Sequence, residues 1–351
     1  MISIDILEQK DSQKWDSFIR SSNHSSVYHL HFFKTVIEKT YHHKSYYLVA
    51  SEDNIVKGVL PLFVIKSPVF GNALVSLPFC DYGGIVTSDD TCGRLLLDKA
   101  AELAVSLKIS EIEFRQTTEQ KYFTDTICAG SLKLSKKTGK VRMKLELPDN
   151  QDALFSTFPA KLRSQIRKPQ KENCTGKNGG VELLDDFYDV FVHNMRDLGS
   201  PVHSKALMRN MLEASPDNRL FVIYHNATTP VACSMVCGFN DIAINPWASF
   251  KRTYQKISPN MLLYWEMLCY SIEKKYKYFD FGRSTPGEGT FKFKEQWGAK
   301  PEQLFWYHYN TRVIPEDEPN GKKEKFIKVW SKLPLPVTRV LGPVIRRQVH
   351  L

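Results

Sequence analysis

The sequence predicts an α+β protein built from two tandem copies of one unit, each in the order ααβββαβ with a mixed sheet. Three observations predict it. The same order of patterned segments occurs twice, offset by roughly 170 residues. Each copy ends in a strand with an arginine just beyond it, Arg115 in the first and Arg283 in the second. The chain has 351 residues, 42% hydrophobic and 25% charged, which suits two domains with real cores.

In the first copy, 2–7 reads as a strand, and a helix begun by Asp11 or Ser12 carries Trp15, Phe18 and Ile19 at helical spacing. A second helix covers 30–40. Strand patterns follow at 45–50, at 55–65 after the turn residues Glu52, Asp53 and Asn54, and at 73–77 after Gly71 and Asn72. The loop PFCDYGG interrupts, and then come an amphipathic helix at 91–107 and a strand at 111–114. In the second copy, helices span 185–198, closed by Gly199 and Pro201, and 204–214, opened by Ser204. Strands read at 220–224, 231–239 and 242–249. Ser258 and Pro259 are good N-cap and N1 residues for a long helix to about 275, and 278–281 is the last strand. The expected domains are 1–150, 151–312 with the active site, and a basic, proline-interrupted tail at 313–351.

No apolar run reaches the roughly 18 residues of a membrane span, and the start, MISIDILEQKDSQK, lacks the basic-then-apolar pattern of a secretion signal. A cytoplasmic location is expected. The seven cysteines are scattered and lack zinc-type spacing, so reduced, mostly buried thiols are expected rather than bridges or metal ligands. His24, His29, His31, His42 and His43 cluster without any metal-binding spacing, and no metal is expected. The formal charge of +10 is uneven: 161–177 carries net +5, 320–351 carries net +7, and the remainder about −2. Such segments suit an anionic partner, or are simply solvated.

The stretch FDFGRSTPGEGTFKFKEQWGAKP, 279–301, concentrates chemistry. A short apolar strand ends in Gly282, Arg283 and Ser284, a turn follows at Pro286, Gly287 and Gly289, and 290–297 alternates aromatic and cationic residues. Arg283, Lys292 and Lys294 then emerge at one strand end, suited to a carboxylate, phosphate or developing oxyanion. The plainer reading is a β-hairpin with a solvated lysine face. Asp280 is an acid–base candidate if alternation turns it toward a cleft with Gly282, and otherwise an ion-pair partner of Arg283 or Lys292. In MRDLGSPVHS, Arg196 and His203 flank a tight turn between helices. His203 is a candidate proton acceptor, because free imidazole titrates near neutrality, while Arg196 either lines the site or pairs with Asp197. Tyr82 and Trp297 are candidate walls of an acceptor site, or core. Arg163 and Arg167 share one helical face and with Lys168 could clamp a phosphate, or be solvated.

A three-strand meander, a helix and an inserted strand resemble the GNAT acyl-CoA N-acyltransferase architecture, and two in tandem resemble the FemAB-like family. The strings MRDLGSPVHS, PWASFKRTYQKISPN and FDFGRSTPGEGTFKFKEQWGAKPEQLFWYHY, with SLPFCDYGG and WSKLPLPVTRVLGP, resemble the FemAB-related branch found alongside exosortase (PEP-CTERM) and exopolysaccharide systems. The resemblance implies transfer of an acyl or aminoacyl group to an amine of a peptidoglycan or exopolysaccharide precursor, free or lipid-linked. It implies no tightly bound cofactor, and a donor that is acyl-CoA or an aminoacyl-tRNA, the latter being the one nucleic acid expected as a partner. The loop matching the family's phosphate grip holds Arg252, Tyr254, Lys256, Ser258 and Asn260, but it has no glycine and Pro259 removes a donor, so a standard coenzyme A grip departs from the pattern. By the same match Asp81 and Tyr82 become a pocket wall. The rival reading is a non-catalytic glycan-binding or scaffold protein. The tail joins its cations to Trp330, Leu333, Leu335, Val340, Leu341, Val344 and Ile345, interrupted by prolines, and is expected as two short pieces that pack on the first domain or lie at the inner face of a membrane.

Overall fold

The computed structural model describes residues 1–68, 71–127, 132–311 and 321–349. Cys128 and the expected start of the tail at 313–320 lie outside the described residues. The chain forms two compact units, neither continuous in sequence.

Unit 1 comprises Met1–Val141, Glu302–Pro319 and Arg347–Leu351. Its elements begin with β1 (Ser3–Ile6), α1 (Ser12–Ser21), α2 (His31–Tyr41), β2 (Ser45–Glu52), β3 (Ile55–Ser67) and β4 (Gly71–Val75). They continue with β5 (Val86–Thr87), α3 (Asp90–Ser106), β6 (Glu111–Gln116), β7 (Thr126–Ile127) and β8 (Leu132–Lys137). Asp89 caps α3 by accepting from the amides of Thr91 and Cys92. The meander β2–β4 is antiparallel, and α3 then lets β6 enter parallel to β4, Ala73 opposite Glu111. Leu96, Leu97, Ala100 and Ala104 of α3 pack in the core under this sheet with Leu60, Leu62 and Phe114.

Unit 2 comprises Arg142–Pro301 and Asn320–Arg346. Its elements are β9 (Val141–Glu146), α4 (Gln151–Thr157), α5 (Ala160–Lys171), β10 (Cys174–Gly179), α6 (Leu184–Asp197), α7 (Lys205–Ala214) and β11 (Asn218–His225). There follow β12 (Thr229–Phe239), β13 (Ile242–Phe250), α8 (Pro259–Glu273), β14 (Tyr278–Ser284), α9 (Gly289–Glu295) and β15 (Lys300–Gln303). Then come β16 (Phe305–Asn310), which belongs to unit 1, and α10 (Gly321–Trp330) and α11 (Leu335–Arg346). The sheet order is β10-β11-β12-β13-β14-β9-β15. β13 and β14 are parallel, mirroring β4 and β6, so the repeated ααβββαβ order corresponds to one topology built twice.

Three expectations change. The contiguous division at 150 and 312 gives way to interleaved units, because β16 pairs with both β6 and β8 while β9 lies beside β14. The run 290–297 folds as the helix α9 and the turn after it rather than as a strand: Lys294 in the helix and Trp297 in the turn, three apart, are buried, and Phe293 packs edge-on to Tyr264 at 5.0 Å. The tail does form two helical pieces, but α10 and α11 group with unit 2, not with the first domain. Gly342 of α11 sits so tightly that a Cβ there would lie 2.8 Å from Val202, and Arg339 reaches Asp189 of α6 at 3.2 Å. No helix among the described residues is long and apolar enough to cross a membrane.

Candidate active site

β13 and β14 pair through only three residues each, Ile242 to Ile244 against Tyr278 to Asp280, although β13 runs on to Phe250 and β14 to Ser284. Beyond that point they diverge. The register of β13 on β12 slips at the same level, between Met235 and Cys237, and Asn245 fills the irregularity. Its Nδ2 donates to Ser234 Oγ at 2.5 Å and to the carbonyls of Met235 and Trp247 at 2.8 and 3.1 Å. Pro246, next in line, has no N–H to offer a neighbour, and Pro246, Trp247 and Ala248 are partly exposed. The result is a wedge whose β13 wall carries backbone groups that β14 does not use.

The β14 wall ends in the cluster singled out in the sequence. Gly282 has φ +74°, and its amide donates to Asp280 Oδ1 at 2.7 Å, so the fully buried Asp280 sets the backbone twist just before Arg283 near the end of β14. Ser284 is 4% exposed and its hydroxyl has no partner among the described residues, so a ligand reaching it would satisfy a buried polar group. Lys294 is buried as well, and its ammonium donates to the carbonyls of Gly282 and Arg283 at 3.1 and 2.7 Å. The helix therefore ties its lysine back onto the strand end. Lys292, two residues away and so on the opposite face of α9, is exposed, and only one of the paired lysines reaches the site.

The matched phosphate loop is a 3-10 turn, Arg252–Ile257, running into α8. Arg252 and Lys256 are exposed, while Tyr254 and Asn260 are partly buried. Ser258, expected as an N-cap, instead takes a left-handed corner at φ +56° without capping, because the turn enters the helix directly. Lys168 of α5 donates to the Lys256 carbonyl, so the basic segment at 161–177 and this loop, separate in sequence, form one cationic surface at the start of α8.

Other candidates are placed differently. His203 is 1% exposed, its Nε2 accepts from Arg346 Nε at 3.1 Å, and burial, then the guanidinium, hold it well below the usual imidazole range. It is a packed residue rather than a proton acceptor. Arg196 pairs with Asp197 at 2.6 Å, the plainer of the two readings. Trp297 is fully buried among Phe158, Tyr264 and Phe293, so it is core and not a wall. In unit 1, Tyr82 is buried edge-on to Tyr28, whereas Asp81 is partly exposed. Arg115 there is also buried: it pairs with Glu113, donates to the Cys80 carbonyl and lies 4.7 Å from the Trp306 ring. Glu111, Glu113 and His308 come within 4.8 Å of one another, but Arg115 already supplies the positive charge opposite Glu113. The sequence reading missed Asn245, for which Pro246 inside a strand pattern was the available signal.

Residues 160–295 match the family model described as an acetyltransferase (GNAT) domain. Among solved structures, FemX aligns over 87% of this chain and 96% of its own, with a TM-score of 0.67 and 16% identity. A tandem GNAT protein from the clavulanic acid biosynthesis pathway aligns over 90% and 100%, with a TM-score of 0.57 and 10% identity. L-PGS from Bacillus licheniformis aligns over 99% and 98%, with a TM-score of 0.53 and 12% identity. No curated protein matches the chain in sequence. These likenesses establish a tandem GNAT fold.

Proposed function

We propose that this chain, a tandem GNAT fold with a GNAT acetyltransferase domain at 160–295, transfers an acyl or aminoacyl group to an amine of a cell-envelope precursor. The observation that carries the reading is the opened β13–β14 wedge ending in Arg283 and the unpartnered Ser284 hydroxyl. The amine nitrogen bonds to the donor carbonyl carbon, the donor's C–O or C–S bond breaks, and the amine proton ends on the leaving group. Negative charge on the carbonyl oxygen meets Arg283. Asp280 and Lys294 hold the strand end in shape. Donor phosphates rest against Arg252, Lys256 and Lys168 at the start of α8. The likenesses to FemX and L-PGS support an envelope acceptor and an aminoacyl donor.

Titration calorimetry with coenzyme A, acyl-CoA and aminoacyl-tRNA identifies the donor class, and the absence of heat with all three would favour the glycan-binding reading. With the donor in hand, Arg283→Ala should lower turnover by about 10² to 10³ without changing the unfolding midpoint. Lys294→Met should instead lower the midpoint as well, since two carbonyls lose their donor. Unchanged turnover in Arg283→Ala returns that arginine to a structural role.

A further inference from the structure

We infer that the outward face of α10 and α11 docks on an anionic lipid bilayer. One side of α11 is committed to the protein: Thr338 and Gly342, four apart, are buried, and Gly342 lies against Val202. A second side is apolar and exposed. Val337, Val340, Leu341 and Val344 stand at i, i+3, i+4 and i+7, forming one stripe, and all four are exposed, Val340 at 69%. A helix lying on its own domain ordinarily turns polar residues outward, so an exposed aliphatic stripe marks a surface that is covered in use. The preceding helix continues the pattern, with Phe326, Ile327 and Val329 exposed beside Lys325 and Lys328.

Charge selects the partner. Arg339 is engaged with Asp189 and Arg346 with His203, which leaves Lys325, Lys328, Lys332 and Arg347 as exposed cations among the side chains described. Glu324 is the one acidic residue among the described residues from 321 to 349. A second copy would bring the same cations face to face in a self-complementary contact, which opposes that pairing. Nucleic acid would find cations but no stacking platform, as Phe326 already stacks on Trp330 at 5.4 Å. A bilayer with anionic headgroups takes both parts, aliphatic side chains below the headgroups and lysines among them. Neither helix is long and apolar enough to cross, so the pair lies on the surface. This inference does not depend on the transferase reading.

The test is co-sedimentation of the full chain with phosphatidylcholine vesicles, pure or containing phosphatidylglycerol, at low and high salt. Expected is binding to the anionic vesicles that weakens with salt and is lost in Val340→Asp/Leu341→Asp. Lys325→Gln/Lys328→Gln/Lys332→Gln should weaken it on the order of a hundred-fold, each cation near such a surface contributing about five-fold. These positions are exposed, and an unchanged thermal midpoint verifies the fold. No binding to anionic vesicles at low salt, or equal binding by the valine–leucine double variant, overturns the proposal. A dimer in sedimentation velocity that Val340→Asp dissociates, without vesicle binding, would assign the face to a second copy instead.

Discussion

A single histidine shows how burial decides what an ionisable group does in this chain. His29 bridges the turn at Ser26 to the PFCDYGG loop, where the Gly84 amide donates to its Nε2 at 3.2 Å, and burial pulls its pKa down to about 4. An unfolded imidazole titrates near 6.5. As pH falls through that window, the unfolded chain takes up a proton that the folded chain refuses, so stability is full above 6.5 and lost toward 4, on the order of 3 kcal/mol for this residue. Burial lowers His31, His43 and His203 as well, with the same sign. Urea titrations across pH should show the midpoint dropping on acidification, with a shallower slope in His29→Gln. An identical slope would place the dependence elsewhere. The same logic separates the candidate residues: Arg283 and Ser284 sit at an opened strand end, while His203 and Trp297 are consumed by packing.

At the scale of elements, two glycines, Gly199 and Gly342, let the C-terminal helices approach the rest of unit 2 closely. Gly199, the residue expected to close α6, has φ +71°, and a Cβ there would lie 2.6 Å from the Ile327 carbonyl oxygen and 2.9 Å from its Cα. Relief requires α10 to move, since backbone cannot rotate away as a side chain can. Gly199→Ala should therefore cost about 1–3 kcal/mol from the left-handed backbone and the clash together. Hydrogen exchange should become faster across α10 and α11 and stay unchanged in β11–β13. Uniform protection would mean that the glycine is a helix stop and nothing more.

Across the whole molecule, each unit's sheet is completed by a strand from a distant part of the chain. β16 stands between β6 and β8 in unit 1, where Tyr307 and Tyr309 are buried and Tyr307 stacks on Phe123 at 3.9 Å. A fragment ending at residue 150 lacks that strand and retains β9, which belongs to the other sheet. It should unfold without a cooperative transition and bind a hydrophobic dye, while the full chain does neither; a sharp transition in the fragment would show that β16 is dispensable. The order of helices and strands within each repeat was legible because Trp15 and Ile19 state a helical period, and the continuous apolar runs of β11 and β12, buried on both faces, read as strands. The apolar–cationic alternation of 290–297 misled because eight residues fit either period, and packing of Lys294 and Trp297 chose the helix. By itself the sequence determined the two ααβββαβ units, the arginine at each strand end and the cationic segments. Only the tertiary structure decided that β9 and β16 complete distant sheets, that β13 and β14 part after three pairs, and that Arg346 occupies His203, because strand partners and buried contacts are chosen by open edges and fitting surfaces that no local pattern records.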